Sequence, residues 1–122
     1  NSIFGSRVLK LGSKIDRRFK RHLFGRLFAT LVTILYGIKS YDSQCGAKIF
    51  RSKSAKIAFK DELVANWIFD VEVLIRLKVA GELERVYELP LNNWEDIAGS
   101  KIGLYDVVKI PIELLTLYRS YK

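Results

Sequence analysis

From Ser13 to Tyr36 the apolar residues Ile15, Phe19, Leu23, Leu27, Leu31 and Leu35 recur every four positions, and basic side chains fall between them in the first half. That period predicts one long amphipathic helix. Ser13 is its expected N-cap and Gly37 its stop, while Gly25 is a weak point where it can break in two. Ala47 to Arg51 reads as a short strand, and Ser52 as the cap of a short helix ending near Phe59 or Leu63. Asp70 is the expected N-cap of a helix over 71–80, whose Val71, Leu74, Ile75 and Leu77 turn inward and which Gly81 stops. A strand follows over 84–89, closed by Pro90. The last helix, over 102–121, carries Leu104, Val107, Val108, Ile112, Leu115 and Tyr118 at helical spacing, and Pro111 is expected to kink or divide it.

Ser2-Ile3-Phe4-Gly5 reads as the end of a further strand. Helices and strands alternate, so the expected class is α/β. So few short strands suggest a sheet that is part of something larger, and a chain that opens without Met in mid-strand is expected to be a cut through a longer protein. No repeat and no long linker divides residues 1–122, which read as one domain or a portion of one.

Charge sharpens this picture. Of a net charge of +8, residues 1–26 hold +7, from Arg7, Lys10, Lys14, Arg17, Arg18, Lys20, Arg21 and Arg26 against Asp16 alone. With 49% apolar residues the chain has enough to build a core, which excludes a disordered basic tail. The single cysteine, Cys45, excludes a disulfide framework and a multi-cysteine zinc site. Leu27 to Ile38, the longest uncharged stretch, has twelve residues. A membrane-spanning helix needs about 20. The N-terminal charges interleave with apolar residues instead of preceding an apolar block, unlike a secretory signal.

Polar residues with no evident helix-face or strand-face role gather in four places: Gly5-Ser6-Arg7; Asp42-Ser43-Gln44-Cys45-Gly46-Ala47-Lys48; Trp67-Ile68-Phe69-Asp70-Val71-Glu72; and Asn93-Trp94 followed by Gly99-Ser100-Lys101. Each lies at the end of a regular element, where binding groups are usually displayed. In that order and spacing they resemble the C-terminal half of the family 2 glycosyltransferases that make polyprenyl-phosphate sugars, the dolichyl-phosphate mannose and glucose synthases and their bacterial relatives. The third and fourth motifs look nearer to the glucosyl branch. The resemblance implies the acceptor-side part of a GT-A fold, with the N-terminal nucleotide-binding half absent. In the whole enzyme it implies a divalent ion, Mg or Mn, bound by an Asp-x-Asp of that other half. No Asp-x-Asp occurs here, so no metal site is expected in this chain, and the chain alone is expected to be inactive.

The resemblance makes Arg7 the acceptor-phosphate arginine, consistent with a planar guanidinium that can hold two phosphate oxygens. Ser100 and Lys101, just before a helix, are expected to meet phosphate as well; the competing reading is an ordinary N-cap beside a solvated lysine. Asp42, Gln44 and Gly46 fall in a loop beside the transferred sugar, where glycine would let the backbone come close; residues alone allow a plain turn. Asp42, Asp70 and Glu72 are the candidate catalytic carboxylates. A phosphate acceptor is already ionised and hardly needs a base, and capping would be enough to explain Asp70. Cys45, His22 and Trp67 read as packing or surface residues, and Trp94 as core or sugar platform.

For the basic helix, a solvated face, a nucleic-acid site and a membrane surface compete. Phe19, Phe24 and Phe28 share the apolar stripe, which disfavours a stacking surface for nucleic acid. The resemblance tips the choice to an anionic membrane, with Lys14, Arg17, Arg18, Lys20, Arg21 and Arg26 toward lipid at its cytoplasmic face. The expected function is then part of a hexosyltransferase that uses a nucleotide sugar and polyprenyl phosphate. The alternative is a non-catalytic basic binding module. A half-fold would also expose a sheet edge and apolar faces, so self-association is expected.

Overall fold

The computed structural model describes residues 1–97 and 103–122. Strand β1 (Ser2–Ser6) leads to β2 (Lys14–Asp16), helix α1 (Phe19–Tyr36), strand β3 (Lys48–Ile49) and helices α2 (Ser52–Ala58) and α3 (Phe69–Val79). A single turn of 3-10 helix (Leu83–Arg85) then precedes β4 (Val86–Pro90), β5 (Asn93–Glu95) and α4 (Leu104–Ser120). The expected α/β class is therefore observed.

Strand β1 sits in the middle of a sheet of order β3-β1-β4, antiparallel to β3 and parallel to β4. Gly5 lies at its crowded point. A Cβ there would stand 3.0 Å from the Ala47 Cβ and 3.1 Å from the Ala47 carbonyl oxygen, so a larger residue would force the flanking chain to give by a few tenths of an ångström. The β1/β4 track does not end at Ser6 and Pro90. The Leu91 amide donates to the Ser6 carbonyl, and after residues 7–13 loop out, the Lys14 amide donates to the Asn92 carbonyl. Strands β2 and β5 then pair in parallel, Ile15 opposite Trp94.

This second pairing revises the long helix. Ser13 is not its N-cap: its hydroxyl closes a turn with the backbone of Lys10, and α1 begins only at Phe19. Gly25 does not interrupt it. The Arg17 guanidinium lies over Gly25, 2.9 Å from where a Cβ would stand, so the glycine serves close packing. Gly37 and Gly81 end their helices with φ of 64° and 70°, as expected of left-handed stops.

The core joins Phe4 of β1, Phe28 and Val32 of α1, Val71, Leu74 and Leu77 of α3, and Ile110, Leu114 and Leu117 of α4. The stripes that the period marks on α1 and α4 face largely outward. Phe19, Leu23 and Leu27 are 77%, 61% and 59% exposed, and Leu104, Val108 and Ile112 are 89%, 64% and 58% exposed. Each helix carries two apolar stripes, and periodicity cannot tell which one the rest of the chain covers. Pro111 lies inside α4 without dividing it. Its ring is solvent-exposed, so the carbonyls that lose a donor there can be met by water.

Two expected caps are replaced. Ser52 is the first residue of α2, not its cap. Asp70 lies inside the first turn of α3, and the Trp67 and Ile68 amides ahead of that helix donate to the Glu113 carboxylate of α4, each 3.1 Å from Oε2.

Candidate functional site

The β1/β4 track carries Arg7, just past β1, toward Trp94 of β5; its guanidinium carbon lies 5.1 Å from the ring centroid. Asp42 approaches from the loop after α1. Its Oδ2 accepts from the Arg7 amide at 3.0 Å and from Nε at 2.7 Å, and its Oδ1 accepts from Nη2 at 2.8 Å. Burial alone would lower the Arg7 pKa and raise that of Asp42. The hydrogen bonds and charges between them outweigh it, so Arg7 ends above and Asp42 below its usual range. The pair occupies only the Nε/Nη2 edge of Arg7, which leaves other N–H groups for a ligand.

Beside it lies a cavity of about 240 Å³ lined by Arg7, Arg17, Arg21, Gln44 and a wall of Phe24, Phe28, Trp67, Ile68 and Ile110. Arg17 Nε is buried there without a hydrogen-bond partner among the described residues. Its pKa is lowered by burial first and then by the Arg7 charge. Arg21 stands 3.6 Å from Asp96, whose Oδ1 also accepts from the Trp94 indole at 3.0 Å. Among the described residues, most buried side-chain polar atoms without a hydrogen-bond partner come from the segments around this cavity: Ser6 Oγ, Arg17 Nε, Ser43 Oγ, Gln44 Nε2 and Asp96 Oδ2, the last facing Arg21 beyond hydrogen-bond distance. Such a group of unpaired atoms is what a polar ligand would satisfy. Cations on one wall and aromatic and aliphatic side chains on another suit an amphiphile with an anionic head.

The basic residues expected on one lipid-facing surface are therefore divided. Arg17 and Arg21 line the cavity, and Arg26 is held over Tyr41, 4.0 Å from its ring centroid, donating to the Tyr41 carbonyl. Lys14, Arg18 and Lys20 are exposed, and Lys14 lies on β2 instead of the helix. For Arg17 the difference follows from the later start of the helix: once residues 14–16 form a strand, Arg17 lies in the link to α1 and folds back over Gly25.

Each candidate carboxylate has its own partners, although the Asp42 charge still reaches Asp70. Asp70 pairs with Lys48 at 3.0 Å, both side chains largely buried, and burial raises the Asp70 pKa despite that cation. Glu72 is completely buried and accepts from the Ala65 amide, Arg76 Nη2 and the Tyr121 hydroxyl at 2.8, 2.9 and 2.7 Å. Burial would raise its pKa, but these donors pull it below the usual range. Arg76 reaches on to the Ala58, Asp61 and Glu62 carbonyls, so this network clamps the 58–65 segment to α3 and the C-terminus. Gly46 is exposed with open space around it; the close backbone approach expected there occurs at Gly5. Cys45 is buried, as expected of a packing residue. Ser100 and Lys101 lie outside the described residues. Among the described residues no three His, Cys, Asp or Glu side chains gather as a metal ion would require, and no helix is long and apolar enough to cross a membrane.

Sequence reasoning missed Glu88 on β4. Its carboxylate accepts from the Ser40 hydroxyl and the Tyr41 and Asp42 amides at 2.8, 2.8 and 2.9 Å. Alternation in the sequence turns apolar Tyr87 and Leu89 inward and Glu88 outward, the reverse of the exposure observed on β4, so only the structure reveals it.

Three curated proteins anchor the comparison. The chain is 34% identical over 126 residues to a dolichyl-phosphate beta-glucosyltransferase of Trichomonas vaginalis, covering 98% of this chain and 36% of that protein. It is 34% identical over 121 residues to the Saccharomyces cerevisiae dolichyl-phosphate beta-glucosyltransferase, covering 96% and 35%, and 33% identical over 103 residues to the human one, covering 80% and 30%. The chain thus spans about a third of the length of these relatives. No profile of a known family and no solved structure matches it.

Proposed function

The chain belongs to the dolichyl-phosphate glucosyltransferase family, and from that premise we propose that it is the acceptor-side portion of a family 2 glycosyltransferase with a GT-A fold. The whole protein would transfer glucose from a nucleotide sugar to dolichyl or a related polyprenyl phosphate. Its relatives are enzymes, which leaves a non-catalytic basic module without support.

The observation that carries the proposal is the cavity in which Arg7, Arg17 and Arg21 meet Phe24, Phe28 and Ile110. The guanidinium groups would hold the phosphate oxygens, and the apolar wall would receive the first isoprenoid units. Asp42, bonded to Arg7 along one edge, fixes the plane in which Arg7 presents its remaining donors. In the reaction a phosphate oxygen attacks the anomeric carbon as the bond to the diphosphate breaks, so the configuration inverts and the nucleoside diphosphate leaves. The ionised phosphate is its own nucleophile, and the arginines orient it without removing a proton. A divalent ion that neutralises the leaving diphosphate belongs to the same proposal. The described residues offer no cluster to hold it, and its ligands would come from an Asp-x-Asp outside this chain.

Docking on the cytoplasmic membrane surface completes the proposal. Both α1 and α4 contribute to the cavity wall, and both expose an apolar stripe. Lys14, Arg18 and Lys20 are free to meet anionic lipid, each contributing about 1 kcal/mol near such a surface. The same stripes would drive self-association of the chain where no membrane covers them.

The test is the full-length enzyme assayed with a polyprenyl phosphate and a nucleotide glucose. R7A should raise the acceptor KM at least about tenfold, the loss of one charge-assisted contact, and leave the nucleotide-sugar KM within about twofold. No transfer to polyprenyl phosphate by the unsubstituted enzyme, or an unchanged acceptor KM in R7A, would refute it.

A further inference from the structure

We propose that Glu88 is a positioning residue that sets the geometry of the Arg7–Asp42 pair, although it touches neither the cavity nor Arg7. The inference rests on the proposed assignment of that pair to the acceptor site. Strand β4 fixes both members. Through its ladder to β1, with Gly5 opposite Leu89 and Ser6 opposite Pro90, it delivers Arg7. Through Glu88, opposite Phe4 in the same ladder, it captures the 40–42 loop.

The capture is nearly complete. Oε1 accepts from the Ser40 hydroxyl and the Asp42 amide, and Oε2 accepts from the Tyr41 amide. An ionised carboxylate suits three converging donors because it accepts on both oxygens and donates on neither. Hydrogen bonds to a charged acceptor are also about twice as strong as neutral ones. Across the cation-lined site, Asp42 aligns Arg7 only if its own backbone is held still, because a carboxylate fastened on one side to Arg7 would otherwise travel with it. Glu88 supplies the fixed point, and Arg26 adds a lesser one by donating to the Tyr41 carbonyl.

Two substitutions separate this role from simple support. Glu88→Ala removes every acceptor. Glu88→Gln keeps the size and one oxygen, but aims an NH2 group at a backbone N–H that needs an acceptor. In the full-length enzyme E88A should make the Tyr41 and Asp42 amides exchange with deuterium at least about tenfold faster, since an amide that loses its acceptor opens locally. The acceptor KM should rise about tenfold, with nucleotide-sugar KM and kcat within about twofold, and E88Q should fall between E88A and the parent. Combined with R7K, the acceptor effects should be less than additive, because both changes act on one pair.

Unchanged exchange at Tyr41 and Asp42, in E88A or in E88Q if E88A does not fold, would overturn the proposal. So would faster exchange with an unaltered acceptor KM in an enzyme that does use polyprenyl phosphate. The exchange measurement needs no substrate. If the unsubstituted enzyme fails to use polyprenyl phosphate, the functional assignment falls, while the capture of the loop by Glu88 still stands or falls on exchange.

Discussion

Replacing Arg17 by Met should move stability and acceptor binding in opposite directions. Met keeps an unbranched chain of similar reach but loses the guanidinium that lies over Gly25, an apolar end being free to settle on the same backbone. What disappears is a guanidinium whose Nε is buried without a hydrogen-bond partner among the described residues and whose pKa is lowered by burial and by Arg7. A buried unpaired donor costs about 1–3 kcal/mol, but the rest of this side chain is only half-buried and partly solvated, so the expected gain is at most about 1 kcal/mol. That corresponds to a melting temperature unchanged or raised by no more than about 4 °C. The same group would make charge-assisted hydrogen bonds to a bound phosphate worth about 1.5–3 kcal/mol, so acceptor affinity should fall about 10- to 150-fold. Thermal denaturation of the full-length R17M enzyme, alongside KM values for polyprenyl phosphate and nucleotide sugar, reads both effects. A melting temperature lowered by more than about 4 °C with an unchanged acceptor KM would make Arg17 a structural residue and refute the reasoning.

Glu72→Gln should cost about 3 kcal/mol in stability, because it breaks a buried ion pair and turns an NH2 group toward Ala65, Arg76 or Tyr121, while kcat and acceptor KM of the folded enzyme stay within about twofold. A large loss of kcat at an unchanged melting temperature would instead return Glu72 to the chemistry. The Arg7–Asp42 pair should leave a pH signature. The folded-state pKa of Asp42 lies below its ordinary value, so the stability it confers is complete above about pH 4 and is lost as pH falls through the folded pKa. Asp42→Asn should therefore be less stable than the parent at neutral pH, by about 3 kcal/mol, and the difference should shrink below about pH 4. A difference that is constant down to acid pH would mean that Asp42 ionisation contributes nothing.

Much of this chain was legible in its sequence, and the limits follow from what is local. Gly37 and Gly81 announced their helix ends because a left-handed residue is a property of one position. The four polar clusters announced the family, since each is a short run whose residue types and spacing can be read in place. Among the candidate site residues, Arg7, Asp42 and Gln44 were singled out this way, and the structure gathers them.

Three features needed the folded chain. Residues 14–16 look helical by period and become a strand because β5, almost eighty positions away, offers an open ladder that continues the β1/β4 track. On α1 and α4 two apolar stripes compete, and only the packing of α3 and β1 decides that Phe28 and Val32 are covered while Phe19, Leu23 and Leu27 are not. The third is the division of the basic residues. Their number and place near the N-terminus were fixed by sequence alone, but the strand that shortens α1 places Arg17 in the link beside Arg7, where Arg21 of α1 lines the same cavity, and Lys14, Arg18 and Lys20 are left outside. A side chain's direction depends on the backbone that carries it, and that backbone is set by partners distant in sequence.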